Sequence, residues 1–294
     1  MNLVRSLRLE TPARLALVGS GGKTTALFLL AHALPSPVWV TATTHLAVSQ
    51  TRLGDRLWIV ADADALQDGE IYRGVNVFTG PVGADQRTAG LEGEPLERLH
   101  QLADANAVPL LIEADGSKQK PLKAPAAHEP PIPPWVKTVG VCVGMSGVGK
   151  PLTDATVHHA LVFSDLTGMK PGESVTIEGL AKSLCHPQGG LKNIPPGARR
   201  VAILNQADTA DLQAAGKRLA EMILPSYDSV VIATLAGSPE IHAVIEHTAG
   251  IILAAGGSVR LGRPKQTLLW RGEPLIRHVA RTALSAGLDP VYVV

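Results

Sequence analysis

Seven residues near the N-terminus constrain the fold more than any other stretch. Gly19-Ser20-Gly21-Gly22-Lys23-Thr24-Thr25 follows the apolar run Leu15–Val18 and opens the helical pattern Thr24–Leu34. A glycine loop between a strand and a helix is what a P-loop requires, because glycines let successive N–H groups turn inward around phosphate oxygens. The helix N-terminus adds its partial positive charge. In such a loop Lys23 reaches the β- and γ-phosphates and Thr24 places its hydroxyl on Mg²⁺. The usual spacing puts glycine six residues before the lysine, where this chain has Leu17. The shorter form is similar to the loop of Mur-ligase-type ATPases.

The rest of the chain supports a parallel sheet covered on both faces. Short, continuously apolar runs alternate with longer helical patterns, as buried parallel strands require. Leu15–Val18, Val38–Val40, Leu57–Val60, Leu110–Ile112, Val139–Val143, Val201–Leu204 and Val230–Ile232 read as strands. Thr24–Leu34, Leu96–Ala105, Thr176–Leu184 and Leu212–Ile223 read as helices, and Pro239–His247 as a closing helix. The proline-rich EPPIPPW reads as a loop. The fold class expected is therefore α/β: a P-loop-type parallel sheet domain over residues 1–248, helices on both faces. An incomplete Rossmann-like nucleotidyltransferase segment follows over 249–294, with about 46 residues, too few to bury a core of their own.

Composition excludes several functions. Hydrophobic residues make up 45% of the 294 and charged residues 18%, a globular profile with a real core. A formal net charge of +1 and only 10 aromatic residues give no field or stacking platform for nucleic acid. No run approaches the ~18 apolar residues of a spanning helix, and the N-terminus lacks a signal-peptide core. Two cysteines, Cys142 and Cys185, form no disulfide framework, and with His186 they lack zinc-ligand spacing. The expectation is a cytoplasmic protein with no nucleic acid or membrane partner.

Further candidates sit after strands, at the edge where α/β sheets bind ligands. Glu113 and Asp115 end one apolar run and either hold Mg²⁺ through water or position an attacking nucleophile. Lys118, Lys120 and Lys123 follow them and could meet a second anionic group. Thr43 and Thr44, with Thr41 and His45, either orient a phosphate or metal-bound water or cap the next helix. Asn205 and Asp208 are similar to the N-K-x-D element that reads guanine, with Gln206 in place of the lysine. Asp208 could instead cap the following helix. His158 and His159 read as a helix surface. In the last segment, Gly256–Ser258 offer backbone N–H groups to a triphosphate that Arg260 and Lys265 would neutralise.

Two family resemblances extend these readings. Ile251–Val294 resembles the start of the MobA/MocA-like nucleotidyltransferases, whose pattern L-A-A-G-x-S-x-R-x-G-x-x-K matches Leu253 to Lys265. The A-A-G form and the following K-Q-T-L-L look more like the branch that transfers cytidylate from CTP to molybdopterin. By that resemblance Gly256, Ser258, Arg260 and Lys265 bind the triphosphate. The family's Mg²⁺-binding aspartate falls beyond Val294, so this segment is expected to be inactive as it stands.

Residues from about 12 to 247 resemble the YqeC family, accessory proteins of selenium-dependent molybdenum hydroxylases. The matching pieces are VGSGGKTT, TATTH, IEADGSKQKPLKAPAAHEP, GKPL, HPQGGLK and PPGARRVAILNQADT. The family usually has lysine where Gln206 stands and a further threonine where Ala42 stands. The resemblance implies a role in making or inserting a molybdopterin-type cofactor, and with the glycine loop the chain reads as an accessory protein that binds Mg²⁺ and ATP or GTP in that pathway. An apo molybdenum hydroxylase would be its partner, with hydrolysis or phosphoryl transfer as the reaction. A carrier that holds nucleotide or pyranopterin dinucleotide without catalysis is the alternative.

Overall fold

The structure is a computed structural model that describes residues 2–67, 71–258 and 261–294. By its internal packing the chain divides into two units, Met1–Ile245 and Glu246–Val294.

The first unit is built on one nine-stranded sheet. In chain order, helix α1 (Leu3–Ser6) and strand β1 (Arg14–Gly19) lead into α2 (Lys23–Ala33), β2 (Val38–Ala42) and the short α3 (Val48–Thr51). Next come β3 (Arg56–Ile59), β4 (Val75–Thr79), α4 (Gly93–Ala105), β5 (Leu110–Glu113), β6 (Leu122–Lys123) and β7 (Thr138–Gly144). The unit continues through β8 (Val157–His158), α5 (Ala160–Thr167), α6 (Ile177–Cys185), β9 (Arg199–Asn205), α7 (Ala210–Ile223), β10 (Ser229–Thr234) and β11 (Glu240–Glu246). Spatial order in the sheet is β11-β10-β9-β7-β1-β5-β2-β4-β3, and the two-residue strands β6 and β8 pair with each other. Pairing is parallel from β10 across to β3.

Alternation along each strand sends neighbours to opposite faces, so one sheet nucleates two cores. On β1, Ala16 and Val18 join a cluster with Leu99 of α4, Phe163 of α5, Leu180 of α6 and Leu219 of α7. Leu15 and Leu17 join the other, with Leu3 of α1 and Leu27 and Leu30 of α2. On β9, Ala202 and Leu204 go to the first cluster and Val201 and Ile203 to the second.

All seven expected strands and the four long helices form. Two expectations on elements are corrected. Pro239–His247 does not close the unit as a helix: Glu240–Glu246 is the edge strand β11. Its β-branched residues suit a pleated surface, and Ile241 and Val244 pack on one core while Ala243 and Ile245 pack on the other. His158 and His159 are not a helix surface: His158 lies on β8 and His159, at φ 59, turns the chain into α5. Strand β4, which is not among the expected strands, lies between β2 and β3.

The second unit holds β12 (Thr248–Ile252), the hairpin β13 (Leu269–Trp270) and β14 (Glu273–Pro274), α8 (Leu275–Ser285) and β15 (Leu288–Val293). β12 and β15 pair in parallel, with α8 between them in sequence. Among the described residues, no helix is long and apolar enough to cross a membrane.

Candidate functional site

Four strand ends converge on the glycine loop. β1 ends at Gly19, between β5 and β7, and the loop must turn tightly past β7. Gly19 lies at φ 90 and a Cβ there would fall 2.3 Å from Cys142 O. At Gly21, φ 75, a Cβ would fall 2.2 Å from Gly144 N. Both positions therefore need glycine for its left-handed backbone and for its missing side chain. Ser20 anchors the turn through its N–H to Cys142 O at 2.9 Å and its hydroxyl to Pro121 O at 2.8 Å. Gly22 precedes α2 at φ 116.

The charged groups behind the loop form one buried chain. Lys23 Nζ donates to Gly19 O at 2.7 Å and meets Asp115 Oδ1 at 3.2 Å. Asp115 Oδ2 accepts the Gly19 N–H at 3.0 Å and pairs with Lys123 Nζ at 2.9 Å. Lys123 continues to Glu129 Oε2 at 2.8 Å and donates to Gly116 O. Burial alone would lower the Lys23 pKa, but Asp115 and then Glu113 outweigh it and hold the ammonium above its ordinary value. The Glu113 carboxyl is also raised, because burial pushes it up and Lys23 and Thr24 only partly offset that, so burial favours its neutral form. Cys142, behind the loop, is an inert packing thiol, pushed up to about 12 by burial.

Thr24 begins a second hydrogen-bonded chain. Its hydroxyl donates to Glu113 Oε2 at 2.7 Å and accepts from Gln50 Nε2 at 3.0 Å. Gln50 Oε1 in turn takes the Ala47 N–H at 2.7 Å, tying the segment after β2 to the start of α2. Gly21, Gly22, Lys23, Thr24, Thr25, Glu113 and Lys118 all line one open cleft, whose empty volume, open solvent included, is ≈ 1870 Å³.

The remaining candidates divide. Thr43 and Thr44 follow β2, and Thr43 N–H donates to Glu113 O at 3.1 Å. Their buried hydroxyls have no hydrogen-bond partner among the described residues. Asn205 sits under the loop, where Nδ2 donates to Gly21 O at 2.6 Å and Oδ1 accepts the Leu235 N–H at 2.9 Å. It is a strut for the turn, with both ends of its amide engaged inside the protein. Asp208 is exposed, and Thr209, not Asp208, caps α7 through Leu212 N–H at 3.3 Å. In the second unit Ser258 Oγ accepts the Lys265 N–H at 3.1 Å and donates to Gly256 O at 3.4 Å, drawing that loop closed. Arg260 lies outside the described residues. Gln50, Arg52 and Arg87, which no sequence motif marks, also line the cleft, as does Gln206. Of these only Gln206, as a departure from a family pattern, left any trace in the sequence.

Fold and site together define an α/β protein with a glycine loop at the carboxyl end of its central strand and acidic residues on the neighbouring strand. The YqeC protein family model matches residues 15–160, and the MobA-like NTP transferase domain model matches residues 250–294. The uncharacterized protein YqeC of Escherichia coli strain K12 is 33% identical over 204 residues, which is 67% of this chain and 77% of that protein. The chain belongs to the YqeC family. The bifunctional enzyme IspD/IspF of Erythrobacter litoralis is 45% identical over 47 residues, 15% of this chain and 12% of that enzyme. The same-named enzyme of Novosphingobium aromaticivorans is 38% identical over 50 residues, 16% of this chain and 13% of that enzyme. No solved structure matches the chain.

Proposed function

We propose that the first unit binds a nucleoside triphosphate with Mg²⁺ and acts on its terminal phosphoryl group in the maturation of a molybdopterin-type cofactor. The observation that carries this reading is the placement of Lys23, Thr24 and Glu113 on one cleft, at the start of the helix that the glycine loop opens. The loop and helix start would take the phosphates on backbone N–H groups and the helix dipole. Lys23, now turned back on Gly19 O and Asp115, would exchange that carboxylate for phosphate oxygens.

The residues present suit Mg²⁺. Thr24 and Glu113 bring two hard oxygen donors within 2.7 Å of each other, and burial makes the Glu113 carboxylate costly without a cation. Among the described residues no cluster of three or more His, Cys, Asp or Glu could cage a metal. That suits an ion that takes the rest of its shell from phosphate oxygens and water. Thr24 and Glu113 would hold it, with Asp115 behind Lys23, and its chemistry would be charge neutralisation on the phosphates. The cofactor-maturation part rests on the family and on the MobA-like match that follows it in the same chain. An apo molybdenum hydroxylase is the partner this role implies, and CTP the nucleotide of a complete second unit.

Calorimetric titration of the full chain with ATP, GTP and CTP, each with Mg²⁺, beside Lys23→Ala tests it. One triphosphate should bind well in the wild type and at least tenfold more weakly in the variant, the loss of one charge-assisted contact. Equal binding by both proteins would sink the reading.

A further inference from the structure

The segments after β2 and after β4 are stitched into a single rim on this cleft. Thr88 N–H donates to Leu46 O at 2.8 Å, Leu46 N–H returns to Thr88 Oγ1 at 3.3 Å, and His45 Nδ1 meets Thr88 O at 3.0 Å. Val48 N–H donates to Gln86 O at 3.0 Å, and Leu91 N–H to Ala42 O at 2.8 Å. In the middle of this seam lies an antiparallel bridge between Ala47 and Arg87.

Arg87 is thus held by its backbone and not by its side chain. Its carbonyl accepts the Gly83 N–H at 2.7 Å, and its own N–H donates to Asp85 Oδ1 at 3.2 Å. Its guanidinium has no hydrogen bond or ion pair among the described residues. It lines the cleft together with Lys23, Thr24 and Glu113, and it is near enough to Glu113 for its charge to favour that carboxylate. The buried cations differ: Lys23 is compensated by Asp115, and Lys123 by Asp115 and Glu129. A guanidinium with no hydrogen bond or ion pair among the described residues, on a rim pinned through its backbone and on the same open cleft as the glycine loop, is placed to meet a phosphate oxygen.

Resting on the nucleotide reading above, we propose that Arg87 is a catalytic residue, the cation supplied within the chain to the terminal phosphoryl group as it transfers. In that step the bond from the terminal phosphorus to the β,γ-bridging oxygen breaks, and its electron pair leaves with the nucleoside diphosphate. A water or acceptor hydroxyl oxygen forms the new P–O bond, and its proton passes to solvent. Charge spreads over the three equatorial oxygens, which a planar guanidinium can grip through two N–H groups at once. This makes the first unit a phosphotransferase or hydrolase and not a passive carrier.

The test needs no knowledge of the acceptor. Binding of the nucleoside diphosphate that calorimetry selects is measured on the full chain with Mg²⁺, with and without aluminium fluoride, which mimics the planar phosphoryl group. Fluoride should tighten binding to the wild type strongly. Arg87→Ala should lose ~100-fold of that gain, the scale of one transition-state donor, while its affinity for the diphosphate alone changes less than about threefold. Arg87→Lys should not restore it, since an ammonium lacks the fork. The proposal is overturned if Arg87→Ala keeps the full fluoride gain, or if both affinities fall together. It is also overturned if fluoride adds nothing in the wild type. Lys23→Ala separates the two readings. If it loses diphosphate binding while Arg87→Ala keeps the fluoride gain, nucleotide binding stands and Arg87 alone fails. If Lys23→Ala binds like wild type, both readings fail together.

Discussion

Asn205 shows how a residue can brace a candidate site without facing its cleft. Its amide bridges Gly21 O in the glycine loop and Leu235 N–H after β10, two points 214 residues apart in sequence, 235 less 21. In sequence the same residue, three before Asp208, suggests base reading, because side-chain type and spacing are identical in the two cases. Only the path of the loop over the end of β9 distinguishes them. Replacing Asn205 with alanine leaves the Gly21 carbonyl and the Leu235 N–H without these partners. It should cost about 1–3 kcal/mol, measurable as a lower urea midpoint at unchanged slope. Nucleotide affinity should then fall by similar factors for ATP and GTP, since the strut acts through the loop and not on the base. A selective loss of GTP would return Asn205 to the base-reading role.

At the scale of elements, helices were legible where caps and periodicity agree. α6 begins with Thr176, whose hydroxyl accepts the Gly179 N–H at 3.1 Å, and its buried residues Ile177, Leu180, Ala181 and Leu184 follow helical spacing. Thr176→Ala should therefore lower unfolding free energy by about 1 kcal/mol, read from denaturant titration, with nucleotide binding untouched. β11 was illegible for the opposite reason. EIHAVIE carries apolar residues at both strand and helix spacings, and as an edge strand it packs side chains on both cores. Its partner β10 lies only five residues upstream, so the pairing is local, but the spacing of the apolar residues does not select strand over helix.

For the molecule as a whole, the buried charges around Asp115 couple the site to global stability. Burial works against the Glu129 carboxylate, yet the Ala126 N–H and Lys123 outweigh it and hold its pKa below the ordinary 4.5. A depressed carboxyl pKa contributes stability that is present above pH 4.5 and is lost as pH falls through the folded value. Glu113 has the opposite sign: its raised pKa gives a contribution that is full below 4.5 and fades as pH rises through the folded value. The two partly cancel in the wild type, so a variant is needed to see either. Glu129→Gln should flatten the acid limb of stability against pH below 4.5, in thermal midpoints taken from pH 7 downward. An acid limb as steep as that of the wild type would show that Lys123 and Glu129 are not coupled in solution.

The sequence by itself determined the class of fold, because continuous apolar runs and one glycine loop admit few arrangements other than a covered parallel sheet. It also marked Lys23, Thr24, Glu113 and Asp115 as candidates, each within a few residues of a strand end, and the structure sets Lys23 against Asp115 and Thr24 against Glu113. Tertiary structure alone decided what stands opposite them. The order β1-β5-β2-β4 brings the segments after β2 and β4 side by side, and their pairing sets Arg87 on the cleft that holds Lys23. The arginine has no motif around it. Its place depends on the hydrogen bonds of its neighbours Gln86 and Thr88 with Val48 and Leu46, some 40 positions away, and local sequence carries no record of them.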